Sequence, residues 1–319
     1  MLNWFDGVQM SDIGRKAAMA FFLCTVRAHA QIPDLPPALY RDAQVDAQYP
    51  ATSRGIQFQS HGSTVNGTLF QPGGKGVHPT VILFHGLPGN EQNLDLLRAV
   101  QRSGWTAITF HYRGAWGSAG VFTLAGGVED GEALLGELAR PGRAAQWGVD
   151  MKHLVVVGHS YGGYIAAATL ARHAEILGAV LIAPWDPSYD RRRYLKIPEA
   201  QRAKQAEIDF DDVPGRLGSV TVKQLTEDLL ANGVVLDLTR LAKSIASRPI
   251  LLLTATRDDP GDQAQDLSAS LHDLQALHFS AQSMETDHSF DDHRIALQAA
   301  ILEWLASRSS GIRGSGDAK

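Results

Sequence analysis

Short runs of consecutive apolar residues recur along this chain, and segments with a helical pattern separate them. Five of these runs are typical of strands buried on both faces, and they lie at 80–86, 105–113, 153–160, 178–184 and 249–256. The helical segments lie at 93–104, 129–140, 161–173, 262–274 and 291–308. Strands that alternate with helices in this way predict a mostly parallel sheet with helices on both faces. The sequence therefore predicts an α/β fold.

The segments at both ends of this alternation have a different character. Two short strand-like runs around Gly62 predict a hairpin at 55–72, and a Pro- and Ala-rich arm at 31–54 precedes it. The polar tail at 309–319 is predicted to be disordered. We therefore expect one α/β domain that spans 55–308.

One internal segment, residues 185–245, interrupts the alternation because it has no strong buried-strand run. It carries helical patterns at 198–208 and 237–245, and Thr221 with Gln224 forms a capping box that opens another helix. We interpret 185–245 as a helical insertion over the carboxyl edge of the sheet, and we call it the cap.

Residues 1–30 have the pattern of a secretory signal peptide. An Arg-Lys pair at 15–16 precedes an apolar run at 17–26, and an Ala-His-Ala sequence ends at Ala30. The apolar run is too short to cross a bilayer. We predict export to the periplasm or the medium, with Met1 or Met10 as the start. A buried amphipathic helix is the alternative, and the protein would then be cytoplasmic.

Composition and missing motifs exclude several classes of protein. The net charge is −5 and the chain has no basic block, so we expect no nucleic-acid partner. The 12 histidines form no H-x-x-x-H pair, and no phosphate-binding glycine motif is present, so we expect no metal and no cofactor. The only cysteine, Cys24, lies in the predicted signal peptide, so the mature chain has neither a disulfide nor a thiol nucleophile.

The sequence Gly158-His159-Ser160-Tyr161-Gly162 matches the pattern G-x-S-x-G. It follows the apolar run Leu-Val-Val-Val and opens a predicted helix, which is where a nucleophilic serine stands on a sharp turn. Glycines two positions to either side remove side chains that would collide with neighbouring backbone. A small-residue packing turn is the alternative, but the strand before and the helix after favour a nucleophile at Ser160.

A serine nucleophile needs a base and an acid, and in this strand–turn–helix architecture they follow it along the chain in the order acid, then histidine. Asp258 follows the last buried-strand run, and His288 lies just before the last predicted helix. Ligands and catalytic groups gather at the carboxyl ends of such strands. Asp259 is an alternative acid. Asp287 and His293 flank His288, and we expect His293 inside the helix. We interpret His159 as a packed core histidine that points away from Ser160.

Two backbone amides are candidates for an oxyanion hole. The amide of Tyr161 lies next to the predicted nucleophile at a helix N-terminus, and the amide of Leu87 lies in the loop 85–90 after the first parallel strand. The loop after the next strand contains Arg113, for which we favour a structural role. Trp116 in the same loop is a candidate for the substrate pocket.

The stretches GHSYGGYIAA, LLLTATRDD and DHSF resemble the α/β-hydrolase superfamily, in particular its prolyl oligopeptidase and dienelactone hydrolase-like branches. The resemblance covers roughly 55–308. It implies an eight-stranded, mostly parallel sheet without a cofactor, and it maps the acid to Asp258 and the base to His288. The arm at 31–54 is too short for a propeller domain, and serine stands where dienelactone hydrolases use cysteine. The substrate therefore does not transfer from either branch.

We expect a serine hydrolase that cleaves a small ester or amide, with esters favoured over peptides because a cap suits a lidded pocket. A peptidase or aminoacyl-amide hydrolase of the same fold is the first alternative. A non-catalytic binding protein on this fold is a second, and acyl transfer to an alcohol is a third. The sequence leaves the oligomeric state open.

Overall fold

The computed structural model describes residues 35–218, 220–258 and 261–309, without the side chains of 261, 262 and 309. The predicted signal peptide, the alternative acid Asp259 and most of the tail lie outside these residues, so export stays a prediction. The first strand begins at Thr52, three residues before the predicted hairpin. Among the described helices, none combines the length and apolar character needed to cross a bilayer.

Eight strands form a single sheet in the order β1-β2-β4-β3-β5-β6-β7-β8. The strands are β1 Thr52–Ser60, β2 Ser63–Gln71, β3 His78–Phe84, β4 Thr106–Phe110, β5 Val149–His159, β6 Ile176–Ile182, β7 Ile250–Ala255 and β8 Phe279–Met284. β2 is antiparallel to β1 and to β4, and all the other pairs are parallel. The prediction of an eight-stranded, mostly parallel sheet is confirmed.

The described helices follow the strands along the chain. They are α1 Leu94–Arg102, α2 Gly126–Ala139, α3 Arg143–Gln146, α4 Tyr161–Arg172, α5 Pro187–Lys196, α6 Glu199–Asp209, α7 Val222–Asn232, α8 Leu238–Ile245, α9 Gly261–Asp273 and α10 Arg294–Ser309. Short 3-10 turns lie at Pro37–Leu39 and Gly233–Val235. Four helices, α5 to α8, lie in the cap, and the capping box of Thr221 and Gln224 opens α7.

The sheet separates two clusters of buried side chains. On β5, Val156 belongs to one cluster with Ile165 of α4, whereas Val157 belongs to the other with Ile301 of α10. Successive strand residues point to opposite faces, so a strand covered on both faces has no polar side. This explains the continuous apolar runs. Because β3, β5, β6 and β7 run parallel, their carboxyl ends lie at one edge of the sheet.

Candidate active site

Ser160 occupies the turn between β5 and α4 in a conformation that L-residues rarely adopt, with φ 55° and ψ −121°. A Cβ atom on Gly158 would lie 1.9 Å from the carbonyl oxygen of Gly162, and one on Gly162 would lie 2.0 Å from that of Phe84. No side chain fits at either position. The two glycines of the motif therefore make room for this turn.

Backbone hydrogen bonds hold Ser160 in this conformation. Its N–H donates to the carbonyl oxygen of Ile182 at 2.9 Å, and its own carbonyl accepts from the N–H of Trp185 at 2.9 Å. Both partners belong to β6 or to the loop that follows it. A strained residue persists only where its surroundings fix it, and such residues cluster at functional sites.

His288 and Asp258 form a direct pair. His288 Nδ1 lies 2.7 Å from Asp258 Oδ2; the aspartate side chain is 8% exposed and the histidine 36%. A carboxylate only accepts, so Nδ1 carries the proton in this pair, and Nε2 is the ring nitrogen that can hold a lone pair. Ser160 and His288 line the same cavity. The hydrogen bonds of the described residues include none between the Ser160 hydroxyl and His288.

The other titratable residues near His288 have local contacts instead. Asp287 accepts a hydrogen bond from the N–H of Asp291 at 2.9 Å, and so caps a turn. His293 lies just before α10 rather than inside it, where its Nδ1 is 3.0 Å from Asp292. Neither side chain lines the cavity of Ser160.

His159 is buried, as we predicted, but it does not point away from the site. Its Nε2 lies 2.8 Å from the carbonyl oxygen of His288, and the two rings are 4.8 Å apart. The carbonyl only accepts, so Nε2 carries the proton. Burial, together with the nearby His288, lowers the pKa of His159 to about 3 and keeps the ring neutral. His159 therefore supports the backbone of His288, a role that the sequence did not indicate.

The two predicted oxyanion amides come from adjacent strands. Leu87 lies in the loop after β3 and lines the cavity, and Tyr161 is the first residue of α4. Among the hydrogen bonds of the described residues, neither amide has an acceptor. The loop also touches the serine, because a Cβ on Gly86 would lie 3.1 Å from Ser160 Cβ. Both amides are free to donate beside Ser160.

Trp116 does not line this cavity but contacts the loop 85–90. Its indole N–H donates to the carbonyl oxygen of Pro88 at 2.6 Å, and its side chain is partly exposed. Arg113 in the same segment pairs with Asp130 at 2.6 Å, which ties the loop after β4 to α2. Both residues therefore support the loops around the site.

The cavity above Ser160 has a volume of about 570 Å³, and the cap forms much of its wall. Besides Ser160, Asp258 and His288, the lining includes aromatic and charged side chains: Trp185, Tyr189, Phe210, Asp190, Arg193, Asp209 and Asp212. No sequence motif marks any of these residues, so sequence reasoning missed them.

The charged groups of the cap are mostly paired with one another. Arg193 binds Asp190 at 2.8 Å and Asp209 at 2.6 Å. Burial raises the pKa of Asp209, but hydrogen bonds from Tyr194 and Arg193 outweigh burial and leave it below its ordinary value. Asp212 accepts from Asn90 at 2.7 Å, which links the cap to the loop 85–90. Three carboxylates against one guanidinium give this wall a negative balance.

Comparisons with known proteins agree with this fold. A family model described as the alpha/beta hydrolase family matches residues 81–299. No curated protein matches the chain significantly.

Within the described residues, no group of three or more His, Cys, Asp or Glu side chains is arranged to hold a metal ion.

Solved structures of hydrolases share the fold at low sequence identity. An esterase from Pyrococcus furiosus is 15% identical with a TM-score of 0.57, and the match covers 83% of this chain and 97% of that one. An esterase from Pyrobaculum calidifontis is 18% identical with a TM-score of 0.57, covering 81% and 88%. The acylaminoacyl peptidase of Pyrococcus horikoshii is 15% identical with a TM-score of 0.61, covering 81% of this chain but 42% of that one.

Proposed function

Because this chain belongs to the alpha/beta hydrolase family, we propose that it is a serine hydrolase that cleaves carboxylic esters through an acyl-enzyme on Ser160. The observation that carries the proposal is the 2.7 Å pair of His288 and Asp258. It lies in the cavity that also contains Ser160 on its strained turn. Nucleophile, base and acid thus share one site.

In this proposal the free lone pair of His288 Nε2 takes the proton of the Ser160 hydroxyl as its oxygen attacks the ester carbonyl. Asp258 accepts from Nδ1 and stabilises the imidazolium that forms. The same Nε2 then gives its proton to the leaving alcohol. In the second half His288 removes a proton from water, whose oxygen attacks the acyl group. The bond to Ser160 Oγ then breaks, His288 returns the proton to that oxygen, and the carboxylic acid leaves. Hydrogen bonds between catalytic groups often shorten only when substrate binds, so the missing bond between Ser160 and His288 is compatible with these reaction steps.

The amides of Leu87 and Tyr161 would stabilise the negative oxygen of the tetrahedral intermediate. Both donors lack another acceptor among the described hydrogen bonds, so both are available when charge develops. Donors that are in place before the reaction give an oxyanion hole most of its effect.

The cavity favours small esters over peptides. Its volume of about 570 Å³ lies in the range of small-molecule sites, and the cap helices form part of its wall. A peptidase or aminoacyl-amide hydrolase is the alternative, and turnover of an aryl ester against an aminoacyl arylamide separates the two. We expect a much higher kcat/KM for the ester.

A fluorophosphonate probe tests the nucleophile, because it labels only activated serines. We expect labelling of the wild-type protein, loss of labelling in Ser160→Ala, and strongly reduced labelling in His288→Ala. Ser103→Ala is the control, since the Ser103 hydroxyl donates to Val100 at the end of α1. Labelling that persists in Ser160→Ala contradicts the proposal, and so does a wild-type protein that the probe does not label.

A further inference from the structure

Gln263 on α9 contains a buried hydrogen-bond donor to which no described residue offers an acceptor. Its side chain is 2% exposed, and its Oε1 accepts from the backbone N–H of Asp186 at 2.7 Å. Only the oxygen can accept from an N–H, so this bond fixes the orientation of the carboxamide. Within the part of the chain that the structure describes, the Nε2 group on the other side has no hydrogen-bond partner.

An unpaired amide donor in a protein interior destabilises the folded state, and native structures contain few of them. Gln263 lines the cavity that also contains Ser160, Asp258 and His288. A molecule that binds in this cavity and presents an acceptor to Nε2 would satisfy the donor. The unpaired group therefore has the character of a specificity contact rather than of a packing residue.

We propose that Gln263 is a substrate-binding residue whose Nε2 donates to a neutral oxygen in the chain of an ester bound at Ser160. The ester thus carries, besides its carboxyl group, an ether, hydroxyl or keto oxygen. This inference rests on the proposed function, because it takes the ester to be cleaved in the same cavity.

The charges of the cavity wall explain why the oxygen is neutral. Asp190 and Asp209 share the single guanidinium of Arg193, and Asp212 lies on the same wall with Asn90 as its partner. A substrate carboxylate at Gln263 would meet this negative balance. A neutral oxygen accepts from the amide without that repulsion.

Two sets of aryl esters test the inference. One set has straight-chain acyl groups, and the other has acyl chains of equal length in which oxygen replaces one methylene at successive positions. We expect one oxygen position to raise kcat/KM by about tenfold over the straight chain, the effect of one added hydrogen bond to an otherwise unpaired donor. Calorimetric binding of the same esters to Ser160→Ala should show the same preference without turnover.

Two variants assign the preference to Nε2. Gln263→Met removes both hydrogen-bonding groups, whereas Gln263→Glu keeps an oxygen for the Asp186 amide and removes the NH2 group. In both variants the oxygen preference should disappear, so that kcat/KM for the oxygen-containing ester equals that for the straight-chain ester of the same length. If Gln263→Met loses all activity through misfolding, Gln263→Glu gives the result alone.

The possible failures are distinguishable. Turnover without an oxygen preference at any position overturns the Gln263 inference and leaves the proposed function intact, and so does a preference that survives in both variants. The opposite result is also possible: Ser160→Ala binds the oxygen-containing ester more tightly, but the wild-type protein turns over no ester. It supports the Gln263 contact and contradicts the proposed esterase.

Discussion

Gly158 and Gly162 make room for the turn at Ser160. Each glycine lies two positions from the serine, so a five-residue motif marks the turn in the sequence, although one of the avoided collisions is with Phe84 on another strand. For that reason Ser160 could be predicted from the sequence, and Asp258 and His288 then followed from their order after it. The contacts of His159 and Gln263 could not be predicted, because their partners lie 129 and 77 residues away along the chain. No local pattern reports such contacts.

The hydrogen bond from His159 to the backbone of His288 gives a testable role to a residue outside the predicted triad. His159→Leu removes the donor and leaves the His288 carbonyl oxygen unpaired. We expect kcat to fall by about tenfold with little change in KM, because the base loses its position while binding contacts remain. His159→Gln, which keeps an N–H at similar reach, should recover most of the loss.

The control for His159 is His288→Ala, which we expect to be inactive. Equal kcat in the wild type and His159→Leu, together with an inactive His288→Ala, would show that the backbone bond does not matter for catalysis. Far-ultraviolet circular dichroism of each variant checks that the fold is retained.

Among the strands and helices, the pattern of apolar residues determined which elements could be predicted from the sequence. The strands β3 to β7 are buried on both faces and were found as apolar runs. β8 is an edge strand with mostly exposed side chains, so its sequence has only a weak strand signal. α5 was missed because its charged sequence has no apolar period. The start of α5 nevertheless carries a recognisable helix signal. Asp186 precedes a proline at the first helical position, and its side chain accepts from the N–H of Ser188.

The loop that contains Leu87 depends on the neighbouring loop for its position. Trp116→Phe keeps an aromatic ring but removes the donor to Pro88. We expect kcat to fall by about fivefold with KM nearly unchanged, because the proposed role of the Leu87 amide is to stabilise the transition state. Steady-state kinetics on one aryl ester measures this. Trp304→Phe on α10 is the matched control, and an equal fall in both variants would contradict a role for the Trp116 indole.

The whole molecule contains buried neutral histidines, and these make its stability depend on pH. Burial lowers the pKa of His85 to about 4 and that of His159 to about 3, from 6.5 in the unfolded chain. As the pH falls below 6.5, these histidines therefore bind protons in the unfolded chain but not in the native state. The free energy of unfolding should fall by about 1.4 kcal/mol per pH unit for each histidine until the pH approaches about 4.

Urea unfolding at several pH values across this window measures the slope. Burial raises the pKa of Asp130 and of Asp186, and both act in the opposite sense at the acidic end. The comparison of wild type with His159→Gln removes their contribution, because both proteins contain them. We expect the variant to have the shallower slope, and identical slopes would contradict a buried neutral His159.

The hydrogen bond between Asn90 and Asp212 joins the loop of one proposed oxyanion donor to the wall of the cavity above Ser160. In the proposed mechanism, substrate choice and reaction rate are therefore coupled. We expect that replacing cap residues to admit a new ester also shifts the Leu87 amide, even where the new side chain touches no substrate. Directed evolution of the cap should therefore recover lost turnover through second mutations in the loop 85–90, on the far side of that bond.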